Sequence, residues 1–254
     1  SADALERLSK EMRKQQDTGK VDAGARGAVT GGAQMDQMAA LLVDLVEEAG
    51  LTRLAIHHTS ALELPGFFRA EKKWDILVVS EGELLAAIEM KSQVGPSFGN
   101  NFNNRSEEAI GSAACLWTAY REGRFGNQQR PFLGYLFLLE DCPRVHEPVK
   151  VKQPHFLVDP AFIAASYRLR YELLCRRLVR ERLYDAARFA VATSSSPTRI
   201  SQPADDLAFK HFAFEFIKNF IRLAAITESI QAVIQHVFGN DQDIIIDFDG
   251  GVNE

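Results

Sequence analysis

The sequence predicts a mixed α/β fold, a central mixed β-sheet flanked by helices with a helical C-terminal part. Three observations predict it. Two apolar stretches, roughly 74–79 and 84–91, meet at Gly82 and read as a hairpin. The run 131–140 (PFLGYLFLLE) is apolar and aromatic throughout, as befits a central strand buried on both faces. Segments before, between and after these strands carry helical periodicity.

In chain order, residues 1–18 read as an amphipathic helix, with Leu5, Leu8 and Met12 at helical spacing. Residues 19–34 form a Gly-rich arm in which Lys20 and Arg26 are available to phosphates. Met35, Met38, Leu41, Leu42, Leu45 and Val46 make one stripe of a helix over 35–49, stopped by Gly50. Residues 53–64 read as a strand, followed by a turn at Pro65–Gly66. Its adjacent His57 and His58 point to opposite faces, so they do not share a metal. After the hairpin comes a Gly/Asn-rich loop to Arg105, then a helix over 106–122 ended by Gly123. A polar loop to about residue 159 follows the strand 131–140. Residues 160–192 read as helical, a Ser/Pro-rich break follows, and a last helix covers about 205–238. One domain over 1–254 is expected: an N-terminal helix and arm (1–34), a catalytic core (35–140), a helical region (160–238) and an acidic tail (239–254).

The 254 residues, 46% hydrophobic and 25% charged, suit a soluble globular chain. No apolar run approaches the ~18 residues of a membrane span, and the polar N-terminal stretch is unlike a signal peptide. Cys115, Cys142 and Cys175 lack CxxC spacing, which argues against a disulfide framework or a zinc site. A cytoplasmic location is therefore expected. The net charge of −5 gives no global sign of nucleic-acid binding, although acidic segments can mask a basic patch.

A hairpin turning at Gly82 places Asp75 across from Glu89, with β-carbons roughly 5 Å apart. Lys91, two residues on, shares their face. Two carboxylates so close repel, and a divalent cation relieves them. Mg2+ suits hard oxygen donors and takes one or two carboxylates, with the Met90 carbonyl as a further oxygen. Lys91 is then placed to orient a water or stabilise charge on a phosphate. A structural ion cluster at the end of a sheet is the plainer alternative. Ser92, Gln93, Ser97, Asn100, Asn101, Asn103, Asn104 and Arg105 follow at once. Asn, Gln and Arg can make paired hydrogen bonds to base edges, but Asn and Gly also favour ordinary turns.

The segments PGFFR (65–69), WDILVV, EMKSQVGPSFGNNFNNRSEEAIGSA, LWTAYREG and RYELLCRRLV closely resemble XhoI-type type II restriction endonucleases of the PD-(D/E)xK nuclease superfamily. The resemblance covers about residue 15 to at least 190. It implies a Mg2+-dependent homodimer that cuts double-stranded DNA at the palindrome CTCGAG, leaving 5′ overhangs. It implies Asp75 and Glu89 as metal-binding acids and Lys91 as the catalytic lysine. It also implies a cognate DNA methyltransferase that protects the host. Trp74 stands where the superfamily motif has proline.

Many superfamily members use an acid from the preceding helix, and Glu48 is the candidate, with Glu47 beside it. Residues 161–190 carry seven arginines against three acids. Arg176 and Arg180, with Arg177 next to them, can face phosphates, unless i,i+4 pairs absorb them. The alternatives from other classes are a DNA-binding module that has lost cleavage and a repair nuclease that reads DNA structure.

Overall fold

The computed structural model describes residues 39–44, 47, 56–194 and 199–224. The N-terminal helix and arm, Glu48 and the acidic tail lie outside the described residues. Helix α1 covers 39–44. Strands β1 (Ile56–His57), β2 (Glu63–Pro65), β3 (Glu71–Lys73), β4 (Ile76–Ser80) and β5 (Glu83–Gln93) precede helix α2 (Phe98–Arg121). Then come β6 (Phe132–Glu140), the short α3 (Pro143–His146), α4 (Tyr167–Arg180), β7 (Ala186–Ala192), β8 (Ile200–Ser201) and α5 (Phe209–Ala224).

Six strands form one mixed sheet in the order β1-β4-β5-β6-β7-β8. The neighbours β5–β6 and β6–β7 are parallel and the others antiparallel. Strands β2 and β3 make a separate hairpin that packs its Leu62 and Leu64 into the core on one face of the sheet. That face is covered by α2 and α4, and the opposite face by α1 and α5. The expected mixed sheet between helices is what the chain forms.

The β4–β5 hairpin follows the expected register, with Ile76 opposite Ile88 and Leu77 opposite Ala87. Its two-residue turn has positive φ at both Glu81 and Gly82 (53° and 83°), the backbone twist that suits a tight hairpin. A register shift after Val78 leaves Leu85 as the extra residue of a bulge.

Four elements differ from the sequence reading. The segment 53–64 is not one strand: Ile56–His57 pairs with β4, and the chain turns at 58–62 before entering β2. The Gly/Asn-rich segment is loop only to Ser97, and α2 begins at Phe98. Buried Phe98 and Ala109, with half-buried Phe102, anchor its first turns to the core and override the turn preference of the asparagines. Residues 160–192 are not all helical. Arg182, at φ 56°, follows the end of α4, and Ala186–Ala192 form a fully buried strand. The sheet therefore extends past residue 140 through the region read as helical. Alanine favours helix locally, but on a central strand its small side chain lets helices approach both faces. The last helix starts at Phe209, after a 3-10 turn at Asp205–Leu207, and is described to Ala224.

Helix α5 presents Phe212, Ala213, Phe216, Ile217 and Phe220 as one buried stripe. Phe212 and Phe216 meet Phe132 edge-on, with ring centroids 5.8 and 5.3 Å away. The seat for this stripe is Gly134 on β6. A β-carbon there would lie 2.6 Å from Cζ of Phe212. Gly134→Val is therefore expected to destabilise the protein by about 1–3 kcal/mol through overpacking. A chemical-denaturation midpoint equal to that of the wild type would show that α5 does not sit against β6.

Candidate active site

The β2–β3 hairpin and the β4–β5 hairpin bring their charged residues to one place. Trp74, only 2% exposed, follows β3, and its N–H donates to the Leu62 carbonyl at 2.9 Å. That anchor sets Asp75, whose N–H donates to the Ile88 carbonyl at 3.2 Å. Asp75 thus lies one residue before β4 and continues its register, so that it faces Glu89. The Met90 N–H donates to Asp75 Oδ2 at 2.6 Å, locking the carboxylate against β5.

Glu89 is 2% exposed, and its neighbour on β6 is Tyr135. Burial pushes the hydroxyls of Tyr135 and Tyr184 well above the usual tyrosine range, and the Glu89 charge adds to this. Both remain neutral phenols. A carboxylate against such an aromatic floor needs charged partners, and it has two. Lys91 Nζ lies 2.5 Å from Oε1, and Lys72 Nζ lies 2.5 Å from Oε2. Lys91 also reaches Asp75 Oδ2 at 3.5 Å and donates to the Met90 carbonyl at 3.3 Å. Lys72 donates to its neighbour's carbonyl, Lys73 O, at 3.1 Å and sits 4.1 Å from the Trp74 ring centroid.

Asp75, Glu89, Lys91 and the Met90 carbonyl are thus gathered as the hairpin register predicts. Lys72 completes the group and was not singled out from the sequence. The string KKWD places a cation three residues before the acid, but only the fold-back of β2 on β3, pairing Lys72 with Leu64, aims it at Glu89. Two acids and two ammonium groups leave the cluster neutral.

The donor set suits a hard divalent cation. Asp75 and Glu89 supply carboxylate oxygens, and the Met90 carbonyl oxygen already faces a cation in Lys91. The two ammonium groups occupy the positions where positive charge is wanted. Among the described residues, no group of three or more His, Cys, Asp or Glu gathers as a metal site, so the carboxylates here are the pair Asp75 and Glu89. Two carboxylates are what Mg2+ commonly takes. Glu47 is exposed, and Glu48 is outside the described residues.

The residues expected to read DNA separate into two groups. Asn100, Asn103 and Asn104 are exposed and share one face of the first turns of α2. Ser97 is exposed just before that helix, and Ser92 and Asn101 are half-buried. The other group is engaged within the protein. Gln93 is 3% exposed, and its amide donates to the Val94 carbonyl. Arg105 pairs with Glu108 at 2.6 Å. On α4, Arg176 grips Asp206 at 2.6 and 2.9 Å and also touches Glu172, while Arg177 holds Asp159 at 2.6 Å. Arg180 is the most exposed arginine of that helix end and pairs with its neighbour Glu181 at 3.0 Å. Much of the positive charge read on this helix is therefore spent on tethering it.

A family model described as restriction endonuclease XhoI matches residues 14–202. The type II restriction enzyme BstVI of Geobacillus stearothermophilus is 46% identical over 215 residues, 82% of this chain and 96% of that enzyme. The type II restriction enzyme XhoI of Xanthomonas vasicola is 48% identical over 165 residues, 64% of this chain and 66% of the relative. The type II restriction enzyme AbrI of Azospirillum brasilense is 53% identical over 148 residues, 58% and 66% of the two chains. No solved structure matches. The matched region holds both hairpins, the aromatic floor and the whole neutral cluster, and the chain belongs to the XhoI family of type II restriction endonucleases.

Proposed function

We propose that the chain is a Mg2+-dependent type II restriction endonuclease that hydrolyses phosphodiester bonds of double-stranded DNA at a short palindrome. The family expectation is CTCGAG with 5′ overhangs. The observation that carries this reading is the pairing of Asp75 with Glu89 across a hairpin, with Lys91 2.5 Å from Glu89 Oε1. Asp75, Glu89 and the Met90 carbonyl would hold the cation. When bound, the ion supplies Lewis-acid polarisation of the phosphate and a water of lowered pKa.

The chain's own residues supply orientation and charge. The Met90 N–H fixes one oxygen of Asp75 and leaves the rest of that carboxylate facing the solvent side of the site. The buried walls around Glu89 keep its surroundings low in dielectric, which strengthens each charge there. Lys91, joined to both acids, is held where it can steady a water or the charge developing on a phosphate oxygen. Lys72 keeps Glu89 compensated. The exposed face Asn100, Asn103 and Asn104 opens a long helix whose first turn carries no acid. The positive end of that helix favours phosphate, and the amides suit base edges.

A homodimer would present two such centres to a palindrome. The system would include a protecting methyltransferase, and the enzyme would act in the cytoplasm. Among the described residues, no helix is long and apolar enough to cross a membrane.

Incubation of purified protein with plasmid DNA and Mg2+ tests the reading. It predicts discrete fragments whose sequenced ends share one palindrome and carry 5′-phosphates. Specific retention of DNA without cleavage would instead identify a binding module. Preference for branched or single-stranded DNA would identify a structure-selective nuclease.

A further inference from the structure

The loop between α3 and α4 is built in a way that cleavage chemistry does not explain. Its neck is closed: Pro148 bridges to Ser166, and the Val149 N–H donates to the Ala165 carbonyl at 3.3 Å. Arg170 ties both sides of the neck by donating to the carbonyls of Val149 and Ala165, each at 3.3 Å. The tip has its own closure, with the Val158 N–H donating to Gln153 Oε1 at 3.0 Å. That closure holds out Phe156 and Leu157, which are 88% and 89% exposed. Adjacent large apolar side chains at full exposure on an ordered tip mark a contact surface.

The charge of the loop selects the partner. From Pro148 to Val158 it carries Lys150 and Lys152, both exposed, and no acid. The flanking acids are neutralised within the chain, Glu147 by Arg144 and Asp159 by Arg177, each at 2.6 Å. The position agrees with this. Strand β6 runs parallel to β5, so its end at Glu140 lies about 16 Å beyond Glu89, five residues along the strand from Tyr135. There Glu140 accepts the Gly95 N–H at 2.8 Å. The return of the loop into α4 brings the Tyr167 ring 5.8 Å from Phe98 at the start of α2. The loop thus follows the end of β6 at the same end of the sheet where β5 leads into the exposed asparagine face, further along the strands from the Asp75–Glu89 cluster. Two side chains are too small a patch for a stable self-interface, which needs about 800 Å² per partner.

We propose that the tip 150–158 clamps duplex DNA, with Lys150 and Lys152 on phosphates and Phe156–Leu157 wedged against a base step. Apolar wedges of this kind unstack and kink DNA from the minor groove. The inference rests on the reading of the chain as an enzyme acting on DNA and on none of its assigned catalytic residues.

The test uses the full-length protein in EDTA and a duplex centred on the site defined by the wild-type cleavage ends, with 2-aminopurine at successive flanking positions. The paired substitutions Phe156→Ala and Leu157→Ala, on side chains free of packing, should weaken binding about tenfold or more. They should also abolish the fluorescence rise that marks unstacking, with sedimentation unchanged. Lys150→Gln with Lys152→Gln should make the salt dependence of log K shallower by about two. Affinity within twofold of wild type would overturn the proposal. A shift from dimer to monomer in sedimentation would show that the tip is a contact between copies. Weaker binding with no unstacking signal even in the wild type would overturn the wedge. A wild type that binds no duplex would overturn the DNA reading together with the clamp, whereas variants that fail beside a normal wild type strike the clamp alone.

Discussion

Glu89→Gln is expected to reduce DNA cleavage by at least about 10³-fold while leaving site-specific DNA binding within a few-fold of wild type. The substitution keeps the shape of the side chain and removes its charge. Glu89 is the carboxylate on which both lysines converge, at 2.5 Å each, and the one that the aromatic floor shields from water. Without it, a divalent cation would have Asp75 as its sole carboxylate in the cluster, and Lys91 would lose the partner that aims it. Preorganised charge of this kind is worth several orders of magnitude in rate. Glu89→Ala is a harsher version, because it removes the carboxylate that Lys72 and Lys91 share and leaves Lys91 with Asp75 at 3.5 Å. Cleavage rates measured with saturating enzyme, alongside binding by fluorescence anisotropy, check the expectation. A Glu89→Gln protein that cuts at a normal rate, or one that no longer folds, would mean that the cluster is a structural ion network.

Lys72→Met is expected to act in two opposite directions. Lys72 is 10% exposed at its side chain and compensates Glu89 through Oε2. Removing it leaves the cluster with two acids and one ammonium, a net charge of −1 in place of zero. The metal-free protein should lose stability, because a mostly buried ion pair has been halved and the face of Trp74 loses its cation. The same excess charge should attract a dication. One unit charge at about 4 Å in surroundings of intermediate dielectric is worth up to about 4 kcal/mol. Solvent on the Asp75 side screens part of this, so the expected gain in Mn2+ affinity is about tenfold. Lys72→Arg keeps the charge and should resemble wild type. Calorimetric titration with Mn2+ in the absence of DNA, and the rise in Tm that Mn2+ produces, provide two readings that need no cleavage. Unchanged or weaker Mn2+ binding in Lys72→Met would show that Lys72 does not compete for the carboxylate.

These two residues also mark how far the sequence could be read. Glu89 was legible because the Glu81–Gly82 turn fixes the hairpin, and a fixed hairpin determines which side chains face each other. Asp75, Glu89 and Lys91 follow from that register alone. Lys72 was hidden because it depends on three-residue strands, β2 and β3, too short to show an alternating pattern. The elements around the site divide in the same way. The run 132–140 announces a buried strand through its aromatic and branched residues. Strand β7 does the same work with AARFAVA, whose alanines read as helix and whose Arg188 reads as surface. Tertiary burial, with Phe189 and Ala190 both 0% exposed, decides the matter. The asparagines of α2 misled for a related reason. Their turn preference is local, whereas the anchors that make them helical, Phe98 packed near Tyr167 and Phe102 near Tyr171, are contacts to α4 almost seventy residues away. Arg176 and Arg180 were equally attractive on α4, but the partner of Arg176, Asp206, lies beyond a strand that had not been seen.

The most direct test of the central claim is an anomalous-difference map from crystals of the protein grown with Mn2+ and uncleaved cognate duplex. The account predicts a peak in contact with carboxylate oxygens of both Asp75 and Glu89, with Lys91 beside the phosphate that is cut. A peak bound elsewhere, or ordered DNA whose scissile phosphate lies away from these residues, would contradict it.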